Sequence, residues 1–165
     1  MSRLSKILVL LTAMATLGFL AQAASATSGA HFFFANSSVN DGGGLVVSFD
    51  EAGVGQQQVN YTLTADASAT YACLNGGGNH PKASNKESVQ GSVSGGATFT
   101  PQNGRVTGSL TTGPLTDPSF TCPSGQTRVL ACVSYSNIVL TDTTNHVTAN
   151  PADVSRTFFN IGAPC

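Results

Sequence analysis

The alternation over residues 59–73 restricts the fold of this chain more than any other feature. Val59, Tyr61, Leu63, Ala65, Ala67, Ala69, Tyr71 and Cys73 occupy every odd position, and Asn60, Thr62, Thr64, Asp66, Ser68 and Thr70 fill the even positions between them. A side-chain period of two is the period of a β-strand, not of a helix. An apolar row backed by a polar row describes a strand with one face in a core and the other in water. The segment is long for a single flat strand, so a bend or bulge is expected near residues 66–68, where the side chains are small.

The same logic extends along the chain. "HFFFANSSV" and "GLVVSFD" flank a glycine-rich turn at residues 40–43 and should form a hairpin. "GATFT" and "RVTGSLTT" flank Asn103-Gly104, a strong two-residue hairpin signal, and are expected to pair. "TRVLACVSYSNIVLTD" reads as a second long strand whose apolar parity shifts between Tyr135 and Ile138, which predicts a bulge near Ser136 and Asn137. The chain then turns at residues 143–145, returns as "HVTA", and has a last strand, "SRTFFNI", before Cys165. About eight or nine strands with polar, glycine-bearing connections predict an all-β chain. The expected fold is an antiparallel two-sheet β-sandwich, Ig-like in architecture, with a β-barrel as the alternative. The two longest connections are residues 75–85 and 113–125.

The N-terminal residues read as a secretory signal peptide. Arg3 and Lys6 precede the apolar run "ILVLLTAMATLGFLA", and small-residue motifs end at Ala23 and Ala26. The apolar run is short and wrongly flanked for a membrane span. Residues 1–26 are therefore expected to be removed, with cleavage after Ala26 or Ala23, leaving residues 27–165 as one secreted domain with no membrane span. Removing Arg3 and Lys6 from the seven basic residues leaves five against eight acidic ones. A mildly acidic chain with no basic patch excludes nucleic acid as an expected partner.

Cys73, Cys122, Cys132 and Cys165 all follow the signal peptide. An even number in an exported chain points to disulfides, and four cysteines allow three pairings. Cys73 lies on the inward row of its strand. Cys132 lies on the row opposite Val129, Val133 and Tyr135 and should face outward. The favoured pairing is Cys73–Cys122, joining the two long loops, with Cys132–Cys165 fixing the C-terminal tail. No CxxC or Cys/His spacing suits a structural zinc, and no cofactor is expected.

The stretch "YACLNGGGNHPKASNK", residues 71–86, is the most conspicuous departure from strand patterning. Its glycines permit close approach by a partner, and His80, Lys82 and Lys86 are polar groups able to contact one. The G-x-x-x-x-G-K-[ST] spacing of a phosphate loop is absent, and no apolar helix follows. His31, His80 and His146 have no spacing that unites them as metal ligands, and His31 is better placed to cap the first strand. The acidic residues fall mostly at expected turns: Asp50 and Glu51 at a strand end, Asp142 at a turn, Asp117 and Asp153 beside prolines. No carboxylate pair suits a glycosidase, and no G-x-S-x-G elbow is present. The chain has no Trp, and the parity of Tyr61, Tyr71 and Tyr135 places all three in core rows. In "HFFFAN", Phe32 and Phe34 should share a face, with Phe33 on the other and covered by a neighbouring strand or loop. The sequons at Asn36 and Asn60 matter only in a glycosylating host.

"ADASATYAC" is similar to the tyrosine-corner end of an immunoglobulin domain, but no upstream cysteine of the exported chain can pair with Cys73 and no core Trp exists. The phrases "GLVVSFDEAGVG", "VNYTLTADASATYACLNGGGNHPKASNK", "VSGGATFTPQNGRVTGSL" and "FTCPSGQTRVLACVSYSNIVLTDTTN" cover most of the exported chain. In them the chain resembles a group of uncharacterised small exported bacterial proteins with a signal peptide and a β-rich domain. The resemblance implies that counterparts of Cys73 and Cys122 recur more reliably than those of Cys132 and Cys165. It implies no activity, cofactor or catalytic residue.

The expectation is a non-enzymatic secreted or envelope-associated binding or structural module. Its partner would be a cell-wall component or another secreted protein. The candidate contact loop contains Asn75, His80, Lys82, Asn85 and Lys86. A small enzyme or inhibitor using the 75–86 and 113–125 loops is one alternative, and a carrier of a small apolar ligand is another.

Overall fold

The computed structural model describes residues 29–75 and 85–160. Eight strands are formed: β1 (His31–Val39), β2 (Leu45–Ala52), β3 (Val59–Asn75), β4 (Lys86–Phe99), β5 (Arg105–Thr112), β6 (Gln126–Asp142), β7 (Val147–Ala149) and β8 (Val154–Thr157). They build two antiparallel sheets. One has the order β1-β2-β5, and the other has β4-β3-β6-β7 with β8 also pairing β6. The expected β-sandwich is therefore the fold, and the sheets do not close into a barrel. At the β1 edge the sheets meet through side chains: Ser37 Oγ donates to the Ala152 carbonyl, and Arg156 Nη1 donates to the Val39 carbonyl at 3.1 Å.

β3 forms the backbone of the larger sheet, and its odd row is buried as the alternation requires. Val59, Tyr61, Leu63, Ala65, Ala67, Ala69, Tyr71 and Cys73 are each at most 7% exposed. Facing them are Leu45, Val47 and Phe49 of β2 and Val106 and Leu110 of β5. The aromatic centre is Phe49, whose ring centroid lies 4.6 Å from that of Tyr61 and 5.6 Å from that of Phe99. The Phe49–Phe99 contact is edge-on, at 89°, and such contacts add to the burial energy.

β3 itself carries no bulge at residues 66–68. β3 pairs β4 without interruption from Val59↔Phe99 to Ala72↔Lys86. The irregularities lie in β6. Between Thr64↔Val139 and Asp66↔Ser136 β6 spends one extra residue, and Asn137 there has φ +51°. This is the bulge read from the parity shift. A second extra residue in β6 lies between Cys132 and Leu130. It reverses the parity of the strand's first half, so Val129 packs with Ala72 and Ala131, away from Val133 and Tyr135, and Leu130 packs on the main core. Cys132 pairs Thr70 on the outer row, as expected, yet is only 3% exposed.

Two further corrections concern turns and edges. Asn103 and Gly104 take φ +53° and +75°, as a two-residue hairpin turn requires, but the ladder is one bridge long, Gln102↔Arg105. β4 then joins β3 and β5 joins β2, so the turn carries the chain between the sheets. In β1 the register slips between Phe32 and Phe34. Phe32 reaches the core beside Phe49, whereas Phe33 and Phe34 are 58% and 42% exposed, contrary to the expected cover.

The β1–β2 turn is closed by Asn40, whose Oδ1 accepts from Gly42 N and Gly44 N at 3.0 and 2.9 Å. Gly43 has φ +87°, and a Cβ there would collide with Leu130. The Gly43 carbonyl accepts from the buried Tyr135 hydroxyl at 2.7 Å, tying the turn of one sheet to the core of the other.

Candidate functional site

The contact loop is described at its two ends. Asn75 is the exposed last residue of β3. Asn85 donates from Nδ2 to Gln126 Oε1 at 3.3 Å, and its carbonyl accepts from Cys73 N at 3.1 Å. Lys86, expected in the loop, is the first residue of β4 and pairs Ala72. The segment 76–84, with His80 and Lys82, lies outside the described residues.

The predicted Cys73–Cys122 disulfide is formed, with Cα atoms 5.5 Å apart. Cys165, the expected partner of Cys132, lies outside the described residues. The 113–125 connection folds back on the sandwich. Tyr71 Oη donates to the Leu115 carbonyl at 2.8 Å, and the Arg128 guanidinium lies 4.2 Å from the Tyr71 ring centroid and 6.0 Å from that of Phe120. Asp117, an acidic candidate of the enzyme alternative, accepts from Ser119 Oγ and N at 2.6 and 2.8 Å. These bonds hold its carboxyl below the usual range. It is a turn-forming carboxylate bonded to a serine of its own turn.

One group of titratable residues does converge, and the sequence reading missed it. Glu51 continues the inward row of Leu45, Val47 and Phe49; Asp142 continues that of Ile138 and Leu140; Tyr61 is the residue of β3 opposite Asp142. Glu51 and Asp142 are fully buried and Tyr61 is 2% exposed. Asp142 is well solvated by the protein: Oδ1 accepts from Thr144 N and Asn145 N at 2.7 and 2.9 Å, and Oδ2 accepts from Asn145 Nδ2 at 2.6 Å. Glu51 has no such support, and neither of its oxygens has a hydrogen-bond partner. Burial pushes its carboxyl up to about 7, with the Asp142 charge acting in the same direction and the Tyr61 hydroxyl opposing it. Parity was the available signal for both acids. They were read as turn formers because carboxylates are rarely buried. The group is sealed from solvent, so it cannot touch a substrate.

The accessible polar surface is elsewhere. Residues paired across the larger sheet share a face, and its outer face carries Thr62, Thr64, Asp66, Ser68 and Thr70 on β3. Opposite them stand Ser94, Ser92, Gln90 and Ser88 on β4, and Ser136 and Ser134 on β6. The rows run on through Thr141↔Thr148 and Ser134↔Ser155. A shallow depression of about 430 Å³ in this face is lined by Asp66, Ser68, Gln90, Ser92, Ser134 and Ser136. Asp66 is fixed there by Ser92 Oγ at 3.2 Å and Asn137 Nδ2 at 2.8 Å, so the second bulge residue of the sequence reading positions the one charge of the depression.

On the smaller sheet, Arg105 Nε and Nη2 donate to the two Asp50 oxygens at 2.7 and 2.5 Å, and its guanidinium lies 4.8 Å from the exposed Phe33 ring. His31 opens β1 with Nδ1 2.7 Å from the Gly29 carbonyl, the strand-capping position expected for it. Among the described residues no group of three His, Cys, Asp or Glu side chains is arranged to hold a metal ion. Compared with known proteins, the chain matches no family model, no curated protein and no solved structure.

Proposed function

We propose that this chain is a non-catalytic binding or structural module, working outside the cell or at its envelope, that meets its partner through the outer face of the five-stranded sheet. The observation that carries this reading is the register of hydroxyls across that face, centred on the Asp66 depression. Ser and Thr hydroxyls both donate and accept, and among the described residues Asp66 is the one charge lining the depression, with Lys86 at the end of the same face and Asp153 beside Ser134 and Ser136. Such a surface suits an uncharged, hydroxyl-bearing partner such as a cell-wall glycan. Each neutral hydrogen bond contributes about 0.5–1.5 kcal/mol net, so binding should be weak per site and gain from a repetitive polymer.

Two observations support the rest of the reading. The converging acids are buried, which disfavours catalysis by them. The space between the sheets is filled by Phe49, Tyr61, Tyr135, Leu63 and Leu140, which disfavours a carrier of an apolar ligand. A disulfide is compatible with an extracellular setting, and among the described residues no helix is long and apolar enough to cross a membrane.

The test is retention of the oxidised domain on cell-wall fractions, neutral polysaccharides and secreted proteins, with a Ser68→Lys/Ser134→Lys variant beside it. Retention on a neutral glycan that the variant weakens at least tenfold, at unchanged stability, supports the sheet face. No retention in any fraction, or retention abolished by Asn75→Ala at the loop end and untouched by the lysine pair, refutes it.

A further inference from the structure

The sealed acids at one end of the sandwich have a consequence independent of the proposed binding face. Three elements deliver them: β2 brings Glu51, β3 brings Tyr61, and the last residue of β6 is Asp142. Asp142 accepts three hydrogen bonds from the turn that follows it, and that turn is tied back to β3 through Thr143 N and Oγ1, which donate to the Asn60 carbonyl at 2.9 and 3.0 Å. Asn60 N in turn donates to Thr144 Oγ1 at 3.0 Å. Asp142 is therefore the residue on which this corner is built, and its bonds are those of an anion. Glu51 is the neighbour that receives none.

Two carboxylates cannot both be ionised in one dry site at low cost. The charged groups around Glu51 do not relieve the conflict. β3 supplies the Tyr61 phenol and β6 the Asp142 carboxylate; β5 places Val106 opposite; and from β1 only His31 contributes opposing charge. Arg105, the nearest guanidinium by sequence register, is committed to Asp50 on the other face of β2.

We propose that Glu51, Tyr61 and Asp142 form a proton-gated latch: while Glu51 holds a proton the corner at Asp142 is closed, and loss of that proton places a second buried anion beside Asp142 and loosens the turn that joins β6 to β7. The direction of the pH response follows from linkage. Glu51 titrates at about 7 in the folded chain against 4.5 for the free side chain, so the folded state binds this proton more tightly. Its contribution is fully present below pH 4.5 and is lost as pH rises through 7. From well below pH 4.5 to well above pH 7 that shift corresponds to roughly a 300-fold fall in the folding constant.

The experiment is carboxyl ¹³C NMR titration of the wild-type oxidised chain, with amide exchange of Thr143, Thr144 and Asn145 measured from pH 5 to 8.5 and corrected for intrinsic rates. A glutamate carbon titrating near neutrality, together with protection at the turn that falls above it, supports the latch. The variant Glu51→Gln keeps the shape and cannot ionise, so its corrected protection should be flat with pH. The proposal is overturned if every carboxyl carbon titrates below pH 5, or if turn protection is independent of pH in the wild type. It is equally overturned if added calcium ion, not protonation, restores protection at pH 8, since the acids would then hold a cation. The titration needs no variant, so a poorly folding Glu51→Gln would not spare the idea.

Discussion

Replacing Cys73 and Cys122 together by alanine offers a quantitative test of how the fold is held. The bridge closes a loop with a sequence separation of 49, between the end of the central strand and the 113–125 connection. In the chain-entropy relation a loop of this size restricts the unfolded chain by about 14 cal/mol/K, or about 4 kcal/mol at 25 °C. That is a large share of the 5–15 kcal/mol by which ordinary domains are stable. Alanine is the right replacement because Cys73 is fully buried in the core row, where a serine hydroxyl would need a new partner.

The assay is urea denaturation of the double variant against the oxidised wild type, without reductant, so that any bond made by Cys132 is retained. Two results are expected together. Stability falls by about 4 kcal/mol, and the denaturant slope rises, because an uncrosslinked unfolded chain exposes more surface. The native state should change little, since Tyr71 still holds the Leu115 carbonyl and Arg128 still packs on the Tyr71 ring and near that of Phe120. A loss below about 1 kcal/mol with an unchanged slope would refute the reasoning, because the bridge would then be redundant with those contacts.

Two other perturbations read single features. Gly43→Ala combines a positive φ with a Cβ aimed at the Leu130 side chain and should destabilise by about 2 kcal/mol or more in the same denaturation assay; a loss within 0.5 kcal/mol would show that the turn can move. The Arg105 guanidinium holds the Asp50 carboxyl below its ordinary value, so the pair's contribution is present above the ordinary carboxylate range and is lost as pH falls through the lowered Asp50 value. Arg105→Ala should therefore lower stability at neutral pH and flatten the acid limb of the stability–pH curve, its difference from wild type vanishing as pH falls through the lowered Asp50 value.

Much of the fold was legible because one face of each main strand is buried, and burial forces parity on the sequence. β3 shows this over its odd residues from Val59 to Cys73, and the Asn137 bulge was visible because the apolar row of β6 changes parity across it. The bulge near Ala131 was not visible. Val129, Leu130 and Ala131 are all apolar, so a slip among them leaves the pattern unchanged. The Phe33 slip was hidden in the same way by three consecutive phenylalanines. Parity locates a bulge only where polar residues mark the other face. The crossing of β4 and β5 into different sheets failed for another reason: Asn103-Gly104 encodes a local turn, and which ladder continues beyond it is decided by long-range pairing.

The candidate site divides along the same line. The hydroxyl face of the larger sheet was present in the even row of β3 from the start, but it was read as the solvated side of one strand. It becomes a surface only when the register sets Ser88, Ser92, Ser134 and Ser136 beside it. The acidic latch was also implicit in parity, since Glu51 and Asp142 each fall two residues beyond a buried apolar position. The usual preference of acids for turns argued the other way, and for Asp142 both arguments hold: its side chain points inward and still caps the turn. Glu51 is where they conflict. A buried carboxylate without a partner is a cost that a glutamine at the same place would lessen. Glu51→Gln should therefore be neutral or stabilising above pH 7 and should lose that advantage below pH 5, where wild-type Glu51 is already protonated. A variant whose stability differs from wild type by the same amount at both pH values would mean that Glu51 does not change its charge between them, and the latch would have no basis.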